Sequence, residues 1–235
     1  SKRLPKKNYK PFNSRNLVEI ARDKCLASGI FDKVIISSDD PFFEELVNCN
    51  EVQFLKRTED LAGDEATTDI VVDFFFKEFS SCESILWVNS VSPLQPMQDI
   101  KNCGIRLHNS DVDCVMAVNT LYQHCCIDNK PLNFNSNNAF EKTQDLTPIQ
   151  RYIYSCMGWK RENYIKYRSE GFKGLFPGKI DLVEVSVLAG MLIKYEEDFV
   201  LCSNIEAAMG LVPNIHLTKT DISKPAVFNN DFAKV

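Results

Sequence analysis

The 235 residues hold 27 Lys+Arg against 32 Asp+Glu, a formal net charge of -5, with 44% hydrophobic and 25% charged residues. A chain this long can bury most of its surface in one large α/β domain or two small ones without disulfide or metal staples. Its charge favours a small anionic ligand over a nucleic-acid duplex, no apolar run reaches the roughly 18–20 residues of a membrane span, and no secretory leader is read.

The chain opens SKRLPKKNYKPF, with Lys2, Arg3, Lys6, Lys7 and Lys10 in its first ten residues. Two readings are open for this patch: a solvated basic terminus, or a grip on an anion. NLVEIARDKCLASG (16–29) then places Leu17, Val18, Ile20, Ala21, Cys25 and Leu26 near helical spacing. Ser14 or Asn16 can cap that helix and Gly29 can end it. KVIIS (33–37) is apolar almost throughout, as in a strand covered on both faces of a parallel sheet. In the following SSDDP, Asp39 or Asp40 can cap a helix over PFFEELVN, with Pro41 in its first turn. EVQFL (51–55) reads as a strand.

The alternation continues. TTDIVVDFFFKEF (67–79) predicts a helix capped by Thr67 or Thr68, SILWVN (84–89) a buried strand, PMQDIKNCGIRLHN (96–109) a helix and DVDCVMAVN (111–119) a third strand. This predicts an α/β fold with a doubly wound, mostly parallel sheet, whose ligand site lies beyond the carboxyl ends of the strands. From about 120 to 160 the rhythm breaks at the Asn-rich IDNKPLNFNSNNAF, read as a loop or hairpin excursion. RYIYSCMGWKRENYIKY predicts a strand and a helix. VEVSVLAGMLIKYEEDFVLCSNIEAA predicts a strand, a turn and a closing amphipathic helix. Residues 1–205 form one predicted domain, and 206–235 a tail of no assigned role.

Seven of the nine cysteines stand singly and only Cys125-Cys126 are adjacent; there is no C-x-x-C, and of three histidines only His124 adjoins a cysteine. That spacing argues against zinc and for small buried hydrophobes in a reducing cytosol.

SKRLPKKN, LASGIFDKVIISSDD, FLKRTEDLAGDEATT, VNSVSPLQ and KTQDLTPI, in that order and at those intervals, resemble the acylneuraminate cytidylyltransferase (CMP-sialate synthetase) family from residue 1 to about 205. The resemblance implies a nucleotide-diphospho-sugar transferase sheet, and an activity in which CTP and a sialate-like 2-keto sugar acid give a CMP-sugar and pyrophosphate. It implies Lys2 and Lys7 as the catalytic cations on the phosphates, helped by Ser1, Arg3 and Asn8. Arg57, Thr67 and Thr68 fall at the cytosine, and Asp39 ends a strand at the nucleotide. A surface Arg and plain helix caps are the structural alternatives for these.

In the loop where many members have Q-P-T-S-P-L-R this chain has N-S-V-S-P-L-Q, making Asn89, Ser92 and Gln95 candidate acceptor contacts, with Gln144 and Arg151 further on. An acidic acceptor calls for a cation, ideally a forked Arg. Mg²⁺ is implied too, yet Leu192 and Lys194 occupy the places of the family's two metal-binding Asp residues, and neither offers a hard oxygen. Three alternatives stay open: a metal held by triphosphate and water, a Lys194 charge in its stead, or lost catalysis. A homodimer formed through 120–160 follows by analogy. The family signature also carries an apolar strand and Gly-rich turn before the Ser. The expectation is that an upstream strand fills the sheet's centre, or that the fold is marginal without it.

Overall fold

The computed structural model describes residues 3–63, 66–108, 111–176 and 178–211. Ser1 and Lys2, two of the candidate site residues, lie outside them, as does most of the predicted tail.

Helix α1 (Leu17–Ser28) begins at Asn16, whose side chain accepts from the Val18 and Glu19 amides while Glu19 bonds back to the Asn16 amide. Gly29 ends it in the left-handed conformation that glycine adopts without a steric penalty. Strand β1 (Val34–Ser38) follows, then a 3-10 turn over Pro41–Leu46 capped by Asp40. The α-helix expected over PFFEELVN is thus a tighter coil, and Val47 leaves it with an extended backbone. Next come β2 (Val52–Lys56), a one-turn α2 (Glu59–Ala62), α3 (Thr68–Glu78), β3 (Ser84–Val88), α4 (Met97–His108) and β4 (Cys114–Leu121).

The excursion holds a two-residue ladder, β5 (Cys126–Ile127) with β6 (Lys130–Pro131). Asn133 ties it down, accepting from the Cys125 amide and donating to the Gln123 and Thr147 carbonyls. The chain returns through β7 (Ile149–Lys160), α5 (Arg161–Ser169), β8 (Ile180–Glu184) and α6 (Glu196–Leu211).

Strand β7 runs against both β3 and β4, while β8 runs parallel to β4, giving the order β3-β7-β4-β8; β1 and β2 form a separate parallel pair. All these strands except β7 therefore share their direction within each sheet, so the sheet is mainly parallel, as expected. Among the described residues β1 pairs only with β2, and β3 only with β7. A seam thus divides the two sheets where the sequence reading placed a further strand.

Apolar side chains cover both faces of the four-stranded sheet. Cys103 and Leu107 of α4 pack on Val115, Ala117, Ile153 and Val183, while Val72 and Phe76 of α3 and Tyr164 of α5 pack on Cys114, Met116, Val118 and Trp159. Five cysteines are buried, as the spacing suggested, three of them (Cys103, Cys114 and Cys156) in these two groups. Burial holds the Cys25 thiol up at about 12 and the Cys202 thiol at about 11, so neither becomes a thiolate near neutrality. The expected amphipathic face of α6 is incomplete. It buries Phe199 and Cys202 but leaves Val200 and Leu201 about half exposed. α6 also runs into the first residues of the expected tail.

Candidate active site

The carboxyl ends of β1, β2, β3, β4 and β8 supply Ser38, Lys56, Val88, Leu121 and Glu184, and β7 enters the same rim at Ile149. Four of the described candidates stand at these strand ends. Asp39 and Asp40 follow β1, Arg57 follows β2, Asn89 follows β3, and Arg151 sits opposite Asn119 in the β4–β7 register.

The basic segment reaches this rim because apolar residues within it anchor it. Leu4 and Phe12 are buried with Leu17, Leu94, Ile193 and Phe199, and the Phe12 and Phe199 rings meet edge to face at 5.5 Å. Between those anchors the backbone turns tightly, with Lys7 N bonded to Leu4 O at 3.3 Å and Tyr9 N to Lys6 O at 2.9 Å. Tyr9 donates its phenol to Asp40 at the end of β1. Lys10 pairs with Glu196 and Arg3 lies over the Tyr195 ring.

Lys7 donates to the Ile193 carbonyl at 3.1 Å, and burial, then the neighbouring Arg3, lower its pKa. One ammonium bond is thus committed to the protein, and two N–H groups stay available to an anion. The segment from Leu4 to Phe12 is therefore packed onto the protein, with Lys7 and Lys10 partly buried and Arg3 and Lys6 exposed.

Arg57 is half-buried, its amide bonded to Ser38 O at 2.9 Å and its guanidinium 4.0 Å from Asp39. Burial lowers its pKa and Asp39 opposes that shift. Three buried polar atoms in this corner lack a hydrogen-bond partner among the described residues: Asn8 Oδ1, Ser37 Oγ and Arg57 Nε. Thr67 stands at the N-cap of α3 but makes no capping hydrogen bond, which corrects the expectation of a side-chain cap; its residue is exposed and Thr68 is partly buried. Asp40, not Asp39, caps the turn after β1, accepting from the Phe42 amide at 2.9 Å.

On the other side of the rim, side chains bond mainly to the protein. Asn89 Oδ1 accepts from the Val91 amide, buried Ser92 donates to Ala189 O at 2.8 Å, and buried Gln95 donates to Ser155 Oγ at 3.1 Å. As placed, these three shape the loop. Lys24 grips the same loop from α1, donating to the Pro93 and Gln95 carbonyls, and burial brings its pKa down to about 8. Gln144 stands exposed on the turn Thr143–Asp145. Arg151 donates to Asn119 at 3.2 Å.

Among the described residues no cluster of His, Cys, Asp and Glu is arranged to hold a metal ion. Asp198 uses one carboxylate oxygen on the Lys194 and Tyr195 amides, fixing the start of α6. The described residues therefore do not by themselves build an octahedral Mg²⁺ cage. A cavity of about 590 Å³ between α3 and α5, lined by Asp73, Lys77, Arg161, Tyr164, Arg168 and Phe172, opens at the far end of β7 from Arg151 and plays no part in the rim.

Sequence reasoning missed Tyr9, Ser37, Lys24 and Asn119. Ser37 and Asn119 had a visible signal, being polar residues inside otherwise apolar strands. Tyr9 and Lys24 had none, because each acts across a long stretch of intervening chain.

Known proteins resemble this chain in sequence and in fold. An N-acylneuraminate cytidylyltransferase of Streptococcus agalactiae serotype V is 25% identical over 177 residues, 72% of this chain and 43% of that protein. The chain spans less than half the length of the curated relatives it matches. A CMP:2-keto-3-deoxy-manno-octonic acid synthetase solved with CTP superposes with a TM-score of 0.62 at 10% identity, covering 89% of this chain and 95% of that one. The 4-diphosphocytidyl-2C-methyl-D-erythritol synthase of Anaerococcus prevotii gives 0.59 at 12% identity, covering 83% and 90%. These likenesses show the fold. No described helix is long and apolar enough to cross a membrane. The model of the cytidylyltransferase family matches residues 1–172, and the chain belongs to that family.

Proposed function

We propose that the protein transfers a cytidylyl group from CTP to a sialate-like 2-keto sugar acid, forming a CMP-sugar and releasing pyrophosphate. The observation that carries this reading is the corner where Asn8 Oδ1, Ser37 Oγ and Arg57 Nε are buried without partners among the described residues, beside a turn of cations. A buried polar atom left unpaired costs about 1–3 kcal/mol, and such a group calls for an explanation such as a ligand that completes it. A pyrimidine base and a triphosphate supply the matching chemistry. Base oxygen and ring nitrogen accept from an Arg fork and hydroxyls, the base amine and ribose hydroxyls donate to an amide oxygen such as Asn8 Oδ1, and phosphate oxygens accept from ammonium and guanidinium groups.

In this reading Lys7 and Arg3, with Lys2 and Ser1 ahead of them, hold the triphosphate, and Asn8 adds a hydrogen bond. Arg57, Thr67 and Thr68 hold the cytosine, and Asp39 lies beside Arg57 at that edge. Asn89, Ser92 and Gln95 set the acceptor loop, and Gln144 and Arg151 meet the sugar acid. The acceptor hydroxyl attacks the α-phosphorus in line and gives up its proton to solvent, a new P–O bond forms as the bond to the bridging oxygen breaks, and pyrophosphate departs. The side chains contribute position and fixed positive charge. Free thiols, five of them buried, suit the reducing cytosol in which we place the protein.

Two copies pair through the excursion, whose Ile127, Leu132 and Phe140 are 61%, 56% and 81% exposed. Sedimentation of a monomer at micromolar concentration contradicts that pairing. A second reading rests on Leu192 and Lys194, which replace carboxylates: the protein binds CTP but does not turn it over. Pyrophosphate release separates the two. Full-length protein with CTP, Mg²⁺ and either N-acetylneuraminate or 3-deoxy-manno-octulosonate is expected to release pyrophosphate with at least one. CTP binding without release from either acid favours the second reading.

A further inference from the structure

Arg151 lies directly across the β4–β7 ladder from Asn119. Asn119 is only 4% exposed, and its amide is fully committed. The nitrogen donates to Val185 O at 2.7 Å and to Ser186 O at 3.3 Å, and the oxygen accepts from Arg151 Nη2 at 3.2 Å. Its N–H groups are thus directed at the backbone that follows β8 and at the Val118 carbonyl, 3.3 Å away, which leaves the carbonyl oxygen to face the guanidinium. Because that partner is neutral, the contact aims Arg151 without cancelling its charge, and its other N–H groups remain for a ligand.

Gly190 supplies the clearance. A Cβ there would lie 2.8 Å from Asn119 Oδ1, 3.0 Å from Arg151 Nη2 and 3.3 Å from Ile153 Cδ1. Any side chain at 190 would press on both ends of the same hydrogen bond.

We propose that Asn119 and Gly190 are positioning residues for Arg151, holding its guanidinium at the rim so that the protein selects an acceptor bearing a carboxylate. This rests on the acceptor reading above and extends it to residues that never touch the sugar. A forked cation recognises a planar carboxylate only when its orientation is fixed. Arg151 is otherwise exposed, and its contact with a committed amide beside a bare backbone provides that fixing. Losing the aim therefore affects the acid acceptor and leaves the nucleotide alone.

The test compares N-acetylneuraminate and 3-deoxy-manno-octulosonate with their methyl esters, which keep the sugar and remove the charge. Binding and pyrophosphate-release kinetics are read for the full-length protein and for Arg151→Ala, Asn119→Ala, Asn119→Asp and Gly190→Ala. Wild type is expected to prefer acid to ester, and Arg151→Ala to erase the preference. Asn119→Ala and Gly190→Ala are expected to raise the KM for the acid about tenfold, the loss of one charge-assisted bond. The KM for CTP and the ester's affinity stay unchanged. Asn119→Asp keeps the volume and places a carboxylate against Arg151, so the acid's KM rises further while CTP binding persists. Should Asn119→Ala fail to fold, as loss of CTP binding would reveal, Asn119→Asp and Gly190→Ala carry the comparison. If Arg151→Ala erases the acid preference while the Asn119 and Gly190 variants keep it, the positioning role is overturned and the acceptor reading stands. No acid preference in wild type, and no change in Arg151→Ala, overturns both.

Discussion

At the β1–β2 end of the rim, Asn8, Ser37 and Arg57 each bury a polar atom without a partner; at the β4–β7–β8 end, Ser92, Ser155, Asn119 and Asp99 are bonded to neighbouring loops and strands. Gln95 Oε1 is the exception at the second end. The contrast teaches how one rim divides its labour. The first corner stays incomplete until something with complementary groups arrives, which costs the free protein stability. The second is largely complete already, which suits a wall that orients a substrate through a single cation. Substitutions in the first corner should therefore change nucleotide affinity without harming the fold, and those in the second should spare CTP affinity while costing stability or the aim of Arg151.

The largest expected effect is at Arg57. Arg57→Ala should weaken CTP binding by about 3 kcal/mol, roughly a hundredfold, the upper range for hydrogen bonds to a charged group. Because Nε is unpaired in the free protein, Tm should hold or rise. Calorimetric titration and a thermal scan together check this, and a falling Tm with unchanged CTP affinity breaks the comparison.

Lys24 tests the second corner through pH. Burial puts its folded pKa at about 8, below its ordinary 10.5, so between those values the unfolded chain binds more protons. Stability should rise with pH across that window, by up to about 3 kcal/mol at 1.36 kcal/mol per unit, and fall as pH drops through 8. The neutral amine keeps two N–H groups, enough for both the Pro93 and Gln95 carbonyls. Denaturant melts from pH 7.5 to 10.5 should show the slope, and Lys24→Met should remove this residue's share.

Ser155→Ala is next. It strands Gln95 Nε2 in a buried site, so unfolding should be easier by about 2 kcal/mol, with CTP affinity preserved. Smallest is Ser37→Ala, expected to weaken CTP binding by at most about 1 kcal/mol with Tm unchanged. A destabilised Ser37→Ala would show that its hydroxyl is satisfied in the free protein and would blunt the contrast.

Much of the fold could be read from periodicity. The apolar runs VIIS and ILWV and the capped helix at Asn16 are local, and the local signals agree with the observed elements. The reversal of β7 was not legible, because strand direction is set by which edges meet and leaves no mark on a strand's own pattern. The 3-10 turn after Asp40 was missed because a Pro-Phe-Phe-Glu-Glu segment of six residues suits either coil.

At the site, Arg57 and the basic turn were legible as charge at meaningful positions. The inward commitment of Ser92 and Gln95 was not, because a polar residue in a loop motif looks the same whether it faces a ligand or the core. Asn119, Gly190 and Lys24 draw their meaning from partners 32 to 71 positions away, and no local window holds that information.

The account depends on the basic turn around Lys7 gripping a polyphosphate. Titrating CTP and CMP separately onto full-length wild type and Lys7→Ala addresses that most directly. The account predicts CTP binding at least tenfold tighter than CMP in wild type, with most of that gap gone in Lys7→Ala. Equal affinities for CTP and CMP in the wild-type protein, or a gap untouched by the substitution, would contradict it.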